Sequence, residues 1–170
     1  MDPIRLQPET VTRVRTAGAV ESSLPREYVR LSNGRYTVYL CGTGSGVSQR
    51  GTWAVSRGAA DDQFDAGGFH LYLRDVDAGG VWSAGYQPTR VPPQRYEFRA
   101  GQNFAEISRT DAEIESALSV CVAPEHDVEL RCCRLTNLGN RRRRIEVTSC
   151  VEFVLWERDA DSSHPATARE

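Results

Sequence analysis

The chain reads as an all-β protein, an antiparallel β-sandwich, on three observations. Short runs in which apolar and polar residues alternate recur along most of its length. Clusters of Asn, Asp, Gly and Pro separate those runs at short intervals. No long stretch carries a convincing helical period, so some nine or ten strands closing into two stacked layers are expected. The sandwich is assigned to residues 28–158, preceded by an extended lead-in over residues 1–27 and followed by a polar tail over residues 159–170 that is expected to fray.

In the lead-in, one short strand is expected near Val11 to Val14. Tyr28 to Leu31 and Tyr36 to Cys41 flank Ser32-Asn33-Gly34-Arg35, and Asn-Gly between alternating runs signals a hairpin. The glycine-rich stretch Gly42 to Gly51 lacks the spacing of a dinucleotide loop, a P-loop or a nucleophile elbow at Ser45 or Ser48, so it reads as a flexible loop. Thr52 to Arg57 alternates like a strand. Asp61, Asp62 and Asp65 form an acidic knot, which reads as a solvated turn rather than a glycosidase carboxylate pair or a calcium loop.

Phe69 to Pro88 is the stretch around which the rest is arranged. Phe69, Leu71 and Leu73 share one face of a strand, Asp75 to Gly80 supplies the turn, and Val81 to Ala84 returns. The hairpin brings Tyr72, Arg74, Trp82, Tyr86 and Gln87 near one another. Flat aromatics beside planar hydrogen-bonding groups suit a sugar, so Arg74, Trp82, Tyr86 and Gln87 are the candidate substrate-binding residues. Cross-strand packing is the competing explanation for the same aromatics.

After Pro92-Pro93, Arg95 to Arg99 and Asn103 to Arg109 alternate. Thr110 to Val122 matches both a helix capping box and a strand, and alternation from Ile114 to Val122 decides for the strand. Val128 and Leu130 share a face with Cys133 and Leu135 only if one residue is extra, which predicts a β-bulge at Arg131-Cys132. Asn137 to Asn140 turns the chain. Arg141 to Arg144 reads as a solvated hairpin shoulder, and Ile145 to Leu155 as one long strand.

Composition narrows the function. The net charge of -2 offers no field for nucleic acid, and all 21 basic residues are Arg, so Schiff-base and P-loop lysine chemistry is excluded. No apolar run reaches the roughly 18 residues of a membrane span, and Asp2, Arg5 and Gln7 stand where a signal peptide needs apolar residues. No direct membrane contact is expected, and the location is expected to be cytoplasmic. Cys41, Cys121, Cys132, Cys133 and Cys150 show no C-x-x-C spacing and read as reduced core thiols. His70, His126 and His164 lie too far apart in sequence to argue for a metal or a triad. No catalytic residue, metal ligand or cofactor is therefore assigned.

Four segments carry a resemblance: LSNGRYTV (Leu31 to Val38), GSGVSQRGTWAVSR (Gly44 to Arg57), YLRDVDAGGVWSAGYQPT (Tyr72 to Thr89) and ELRCCRLTNLGNRRRRIEVTSCVEFVL (Glu129 to Leu155). In that order they resemble the N-terminal β-sandwich of the cellobiose and chitobiose phosphorylase-like enzymes, formerly a glycosyltransferase family, and above all the phosphorylase-like region of cyclic β-1,2-glucan synthases. The resemblance spans roughly Leu24 to Pro165 and implies a supersandwich of galactose-mutarotase type, with further strands following it. It also implies that the catalytic Asp and the inorganic phosphate site belong to an α/α barrel outside these residues, so the isolated chain is expected to be inactive. The implied partners are a β-glucan oligosaccharide, that barrel and, in the parent enzyme, a second subunit of a homodimer; association of the parent enzyme with the inner membrane is also an expectation of the resemblance. Two departures stand out: Val47 and Gln49-Arg50 replace aromatics usual in the glycine-rich loop, and Cys132-Cys133 replaces charged and branched residues.

Overall fold

In the computed structural model, which describes the backbone of residues 12–17 and all of residues 24, 27–58 and 67–157, alternating sequence becomes strand almost wherever a turn signal bounds it. Strand β1 (Thr12–Ala17) forms within the lead-in. Strands β2 (Tyr28–Ser32) and β3 (Tyr36–Cys41) make the hairpin that Asn-Gly announces. Asn33 Oδ1 accepts the N–H groups of Arg35 and Tyr36 at 3.0 and 2.8 Å, and Gly34 takes a φ of 90°, which few side chains tolerate.

The glycine-rich stretch is not a flexible loop. Residues 42–45 make a tight turn, and strand β4 (Gly46–Arg50) begins at once, followed by β5 (Trp53–Ser56). The glycines serve close backbone approach: a Cβ on Gly46 would lie 2.2 Å from the Tyr39 carbonyl oxygen. Strands β6 (Phe69–Asp75) and β7 (Val81–Ser83) form the central hairpin.

Strands β8 (Arg95–Ala100), β9 (Ala105–Asp111) and β10 (Ile114–Val122) follow as a meander. The β9–β10 turn uses Ala112 and Glu113 at φ 45° and 65°, the hand a two-residue hairpin favours but a conformation that glycine or asparagine usually supplies. Its carbonyls are held from outside: Leu138 N–H donates to Glu113 O at 2.8 Å and Arg143 Nη1 to Ala112 O at 3.1 Å.

Strand β11 (Glu129–Asn137) contains no bulge. It pairs with β10 without a slip, Cys132 opposite Ser119 and Cys133 opposite Leu118. The reason is Arg131, which occupies an inward position between Glu129 and Cys133 and meets polar partners there, so alternation never breaks. The register shift falls instead between Phe153 and Trp156, where Leu155 has φ 51°. Strands β12 (Ile145–Val151) and β13 (Phe153–Glu157) are therefore two segments of the expected long strand, separated only by Glu152.

All pairings among the described residues are antiparallel, giving a sheet of order β1-β8-β9-β10-β11, a second of order β13-β5-β4-β3-β2 and a three-stranded sheet β12-β6-β7. The β12–β13 strand stitches the last two into one layer, because β12 pairs with β6, β13 with β5, and Glu152 O accepts Arg57 N–H at 2.9 Å. Between the layers lies one core, with Phe98, Ile107, Leu118 and Val120 of the first sheet packed on Leu31, Val38, Leu40, Leu73 and Trp82 of the other.

Candidate functional site

The central hairpin divides the sequence-selected residues between two faces. Trp82 pairs with Leu73, so its ring enters the core and is 4% exposed, whereas Arg74 pairs with Val81 and faces solvent. Tyr72, half-buried opposite Ser83, has its phenol pushed up by burial and then by Cys150. Tyr86 and Gln87 are 5% and 4% exposed. No common ridge forms, because residues one step apart in the pairing register point to opposite sides of a sheet. Arg74 is the member of the set on the surface, reaching Glu146 Oε2 at 3.4 Å.

The buried members organise the segment that follows the hairpin. Tyr86 and Gln87 N–H groups both donate to Thr43 O, at 2.8 and 2.9 Å, and Arg90 Nε donates to Gln87 Oε1 at 3.3 Å. The Gln87-Pro88 peptide bond is cis. Gly44 and Gly85 cross so closely that a Cβ on Gly85 would lie 2.8 Å from Gly44 Cα.

Arg109 pins this segment from the facing sheet, with its side chain fully buried. It donates to Gly85 O, to Val91 O at 3.0 Å, and in a bidentate pair to Asp111 at 2.6 and 2.7 Å. Neither residue was singled out from sequence. The signal was present, since Ala105, Ile107, Arg109 and Asp111 fall on one face and an Arg in a core register requires a buried acceptor.

A second lock sits at the hairpin turn. Asp75 Oδ1 caps the turn by accepting Asp77 and Ala78 N–H at 3.0 Å each, while Oδ2 accepts Arg143 Nε at 2.8 Å and also its Nη2. The Arg143 hydrogen bonds, then those from the turn, hold the Asp75 carboxyl below its usual range. The Arg143 side chain is only 8% exposed, so the four-Arg run is not a wholly solvated shoulder. At the other end of the sandwich, Asp127 bridges Arg35 and Arg50 at 2.9 and 2.7 Å, and these bonds lower its pKa also.

A polar cluster joins the layers beneath β11. Ser48 Oγ donates to Glu129 Oε2 at 2.9 Å, and Arg131 Nη2 approaches the same oxygen at 3.3 Å. The Arg131 guanidinium also lies 4.8 Å from the Phe69 ring centroid and donates to Phe69 O at 3.3 Å. Burial, then Glu129, pushes the Tyr36 phenol up.

Two recesses among the described residues are lined by none of Arg74, Trp82, Tyr86 and Gln87. One, of about 200 Å³, lies on the outer face of the first sheet between Arg95, Glu97, Arg99, Glu106 and Arg134. The other, of about 260 Å³, is a groove between Tyr28, Val29, Phe98 and Gln102. His70 is buried and His126 exposed, and no three His, Cys, Asp or Glu residues converge among the described residues. The thiols are free but not uniformly core: Cys41 is buried, whereas Cys132 and Cys150 are exposed. Asp61, Asp62, Asp65 and His164 lie outside the described residues.

Comparison with known proteins bears on the whole sandwich. Residues 12–170 match the supersandwich domain of glycosyl hydrolase family 94. The chain is 42% identical over 144 residues to the cyclic β-(1,2)-glucan synthase NdvB of Rhizobium meliloti, covering 85% of this chain and 5% of that protein. It is 33% identical over 92 residues to solabiose phosphorylase of Paenibacillus borealis, covering 54% of this chain and 12% of the relative. With N,N'-diacetylchitobiose phosphorylase of Vibrio proteolyticus the identity is 27% over 103 residues, 59% of this chain and 13% of the relative. The chain thus spans a small fraction of the length of these relatives. On the match to its whole described length, the chain belongs to the glycosyl hydrolase 94 supersandwich family.

Proposed function

We propose that this chain is a non-catalytic sandwich portion of a glucan-processing enzyme, a cyclic β-1,2-glucan synthase or an inverting phosphorylase, and that it helps to wall a sugar acceptor site beside an α/α-barrel catalytic domain. The observation that carries the reading is the 42% identity to a glucan synthase across 85% of the chain. The chemistry of the described residues agrees with it, since Asp75, Asp111, Asp127 and Glu129 are each bound to arginine and serve the fold. In this role Arg74 contacts sugar or the neighbouring domain, while Trp82, Tyr86 and Gln87 hold the hairpin and its following segment in place. Inorganic phosphate and the proton donor belong to the barrel.

A second reading, a packing module that touches no sugar, is favoured by the burial of Trp82, Tyr86 and Gln87. Calorimetric titration of the purified chain with β-1,2-gluco-oligosaccharides separates the two. Sugar contact predicts weak binding that Arg74→Ala lowers by at least about threefold, the scale of one exposed hydrogen-bonding group, while Trp82→Phe retains it. No heat with the wild-type chain leaves the packing role. Release of glucose 1-phosphate from glucan and inorganic phosphate by the chain alone would overturn both.

A further inference from the structure

The outer face of the first sheet is not flat. Strand register sets Glu97, Ser108, Ala117 and Arg134 in one row across β8, β9, β10 and β11, so two small side chains lie between two long ones. The rows on either side carry Arg95, Thr110 and Glu115, and Arg99, Glu106 and Ser119. Long side chains around a short-chained floor make the recess of about 200 Å³. Its depth shows in the burial of groups that face away from the core: Ala117 is 3% exposed, and the Glu97 and Glu106 side chains 10% and 15%.

The charges balance, and several hydrogen-bonding groups are left over. On this face the recess is lined by the guanidiniums of Arg95, Arg99 and Arg134 and by the carboxylates of Glu97, Glu106 and Glu115. An anion would meet three carboxylates and a cation three guanidiniums, so neither is favoured. No aromatic or branched apolar side chain lines the recess, which leaves an apolar ligand without a surface to bury. Arg134 and Glu115 make no side-chain hydrogen bond or ion pair among the described residues. Arg99 Nε is enclosed without an acceptor, and its guanidinium reaches Glu106 Oε1 at 3.5 Å.

We infer that this recess binds a neutral polyhydroxyl ligand, one ring of a glucan chain. Vicinal hydroxyls both donate and accept, so adjacent ones satisfy a carboxylate and a guanidinium together, which is what Glu115, Arg134 and the Ser108 and Thr110 hydroxyls offer. A volume of about 200 Å³ falls below the roughly 300 Å³ at which sites for drug-sized ligands begin, so a single ring is held and the rest of the chain runs out over the sheet. This site rests on the glucan reading proposed above and lies on the face of the sandwich opposite Arg74, as a second contact. A long glucan held there stays at high local concentration beside the catalytic domain.

Amide chemical-shift mapping of the purified chain with a β-1,2-linked glucotetraose tests this. Shifts are expected along β8, β9, β10 and β11 at the recess, with a dissociation constant on the order of 1 mM, the scale of a weak specific site. Arg134→Ala should raise that constant by about threefold, and Ser108→Val, which removes a hydroxyl and fills the floor with methyl groups, by about tenfold or more. Both positions face outward on strands and valine suits a strand, so an unchanged spectrum elsewhere reports an intact fold. Inorganic phosphate should leave the same amides unshifted, and a stronger response to phosphate than to glucan would overturn the neutral ligand. Shifts that survive Ser108→Val would overturn the site. So would shifts confined to the surroundings of Arg74 and lost in Arg74→Ala, an outcome that leaves the proposed function standing. No shift at up to about 20 mM glucan, far above the scale of a weak specific site, would overturn both sugar contacts.

Discussion

At the scale of single residues, the arginines decide more than the aromatics. The side chains of Arg109 and Arg143 are both largely withdrawn from solvent, both bound to an aspartate, and both donate to backbone carbonyls of a neighbouring turn or connecting segment. Removing one partner of such a pair strands the other charge in a low-dielectric interior. Arg143→Ala should lower unfolding free energy by about 3 kcal/mol at neutral pH, the low end for a broken buried pair, as read by urea titration. The sign of its pH dependence follows from Asp75, whose folded pKa is lowered. The lock's contribution is complete above the unfolded carboxyl pKa of about 4 and is lost as pH falls through the lower folded value. Wild type and Arg143→Ala should therefore converge in stability only in strong acid. A difference unchanged down to that range would show that Asp75 is not the charge Arg143 compensates.

At the scale of elements, period-two patterning located the strands well, because one side of each must bury apolar residues. It failed where a polar residue took an inward place. The bulge expected at Arg131-Cys132 rests on the assumption that Arg131 faces out, whereas it stacks by Phe69 and binds Glu129. The hairpin residues show the complementary limit. Alternation locates Trp82 on a strand, but which face it occupies depends on the register with β6, and register is a property of two strands. The β9–β10 turn gives a direct test at this scale. Ala112 sits at φ 45°, where asparagine is tolerated better than alanine, so Ala112→Asn should stabilise by about 0.5 kcal/mol in thermal unfolding. A loss of stability would mean that the turn depends on the small side chain rather than on backbone conformation.

For the whole molecule, the unequal distribution of exposed apolar side chains is the main result. Phe153, Leu155 and Trp156 of β13 are all more than half exposed, while the core between the layers is closed. The tryptophans report this asymmetry, with Trp82 buried and Trp53 and Trp156 each at least half exposed. Acrylamide quenching of a dilute solution should reach two emitting populations, and Trp82→Phe should remove the protected one. A single uniformly quenched population would contradict the closed core.

The all-β class, most strand positions and the kinship with the glycosyl hydrolase 94 supersandwich domain were legible in the amino-acid order alone, because alternation and turn chemistry are local and because four segments carry the resemblance in order. Which face each hairpin residue occupies and where Arg109 and Arg143 find their acceptors emerged only from the packed strands. Those features depend on register and on contacts between residues remote along the chain, which no window of sequence contains.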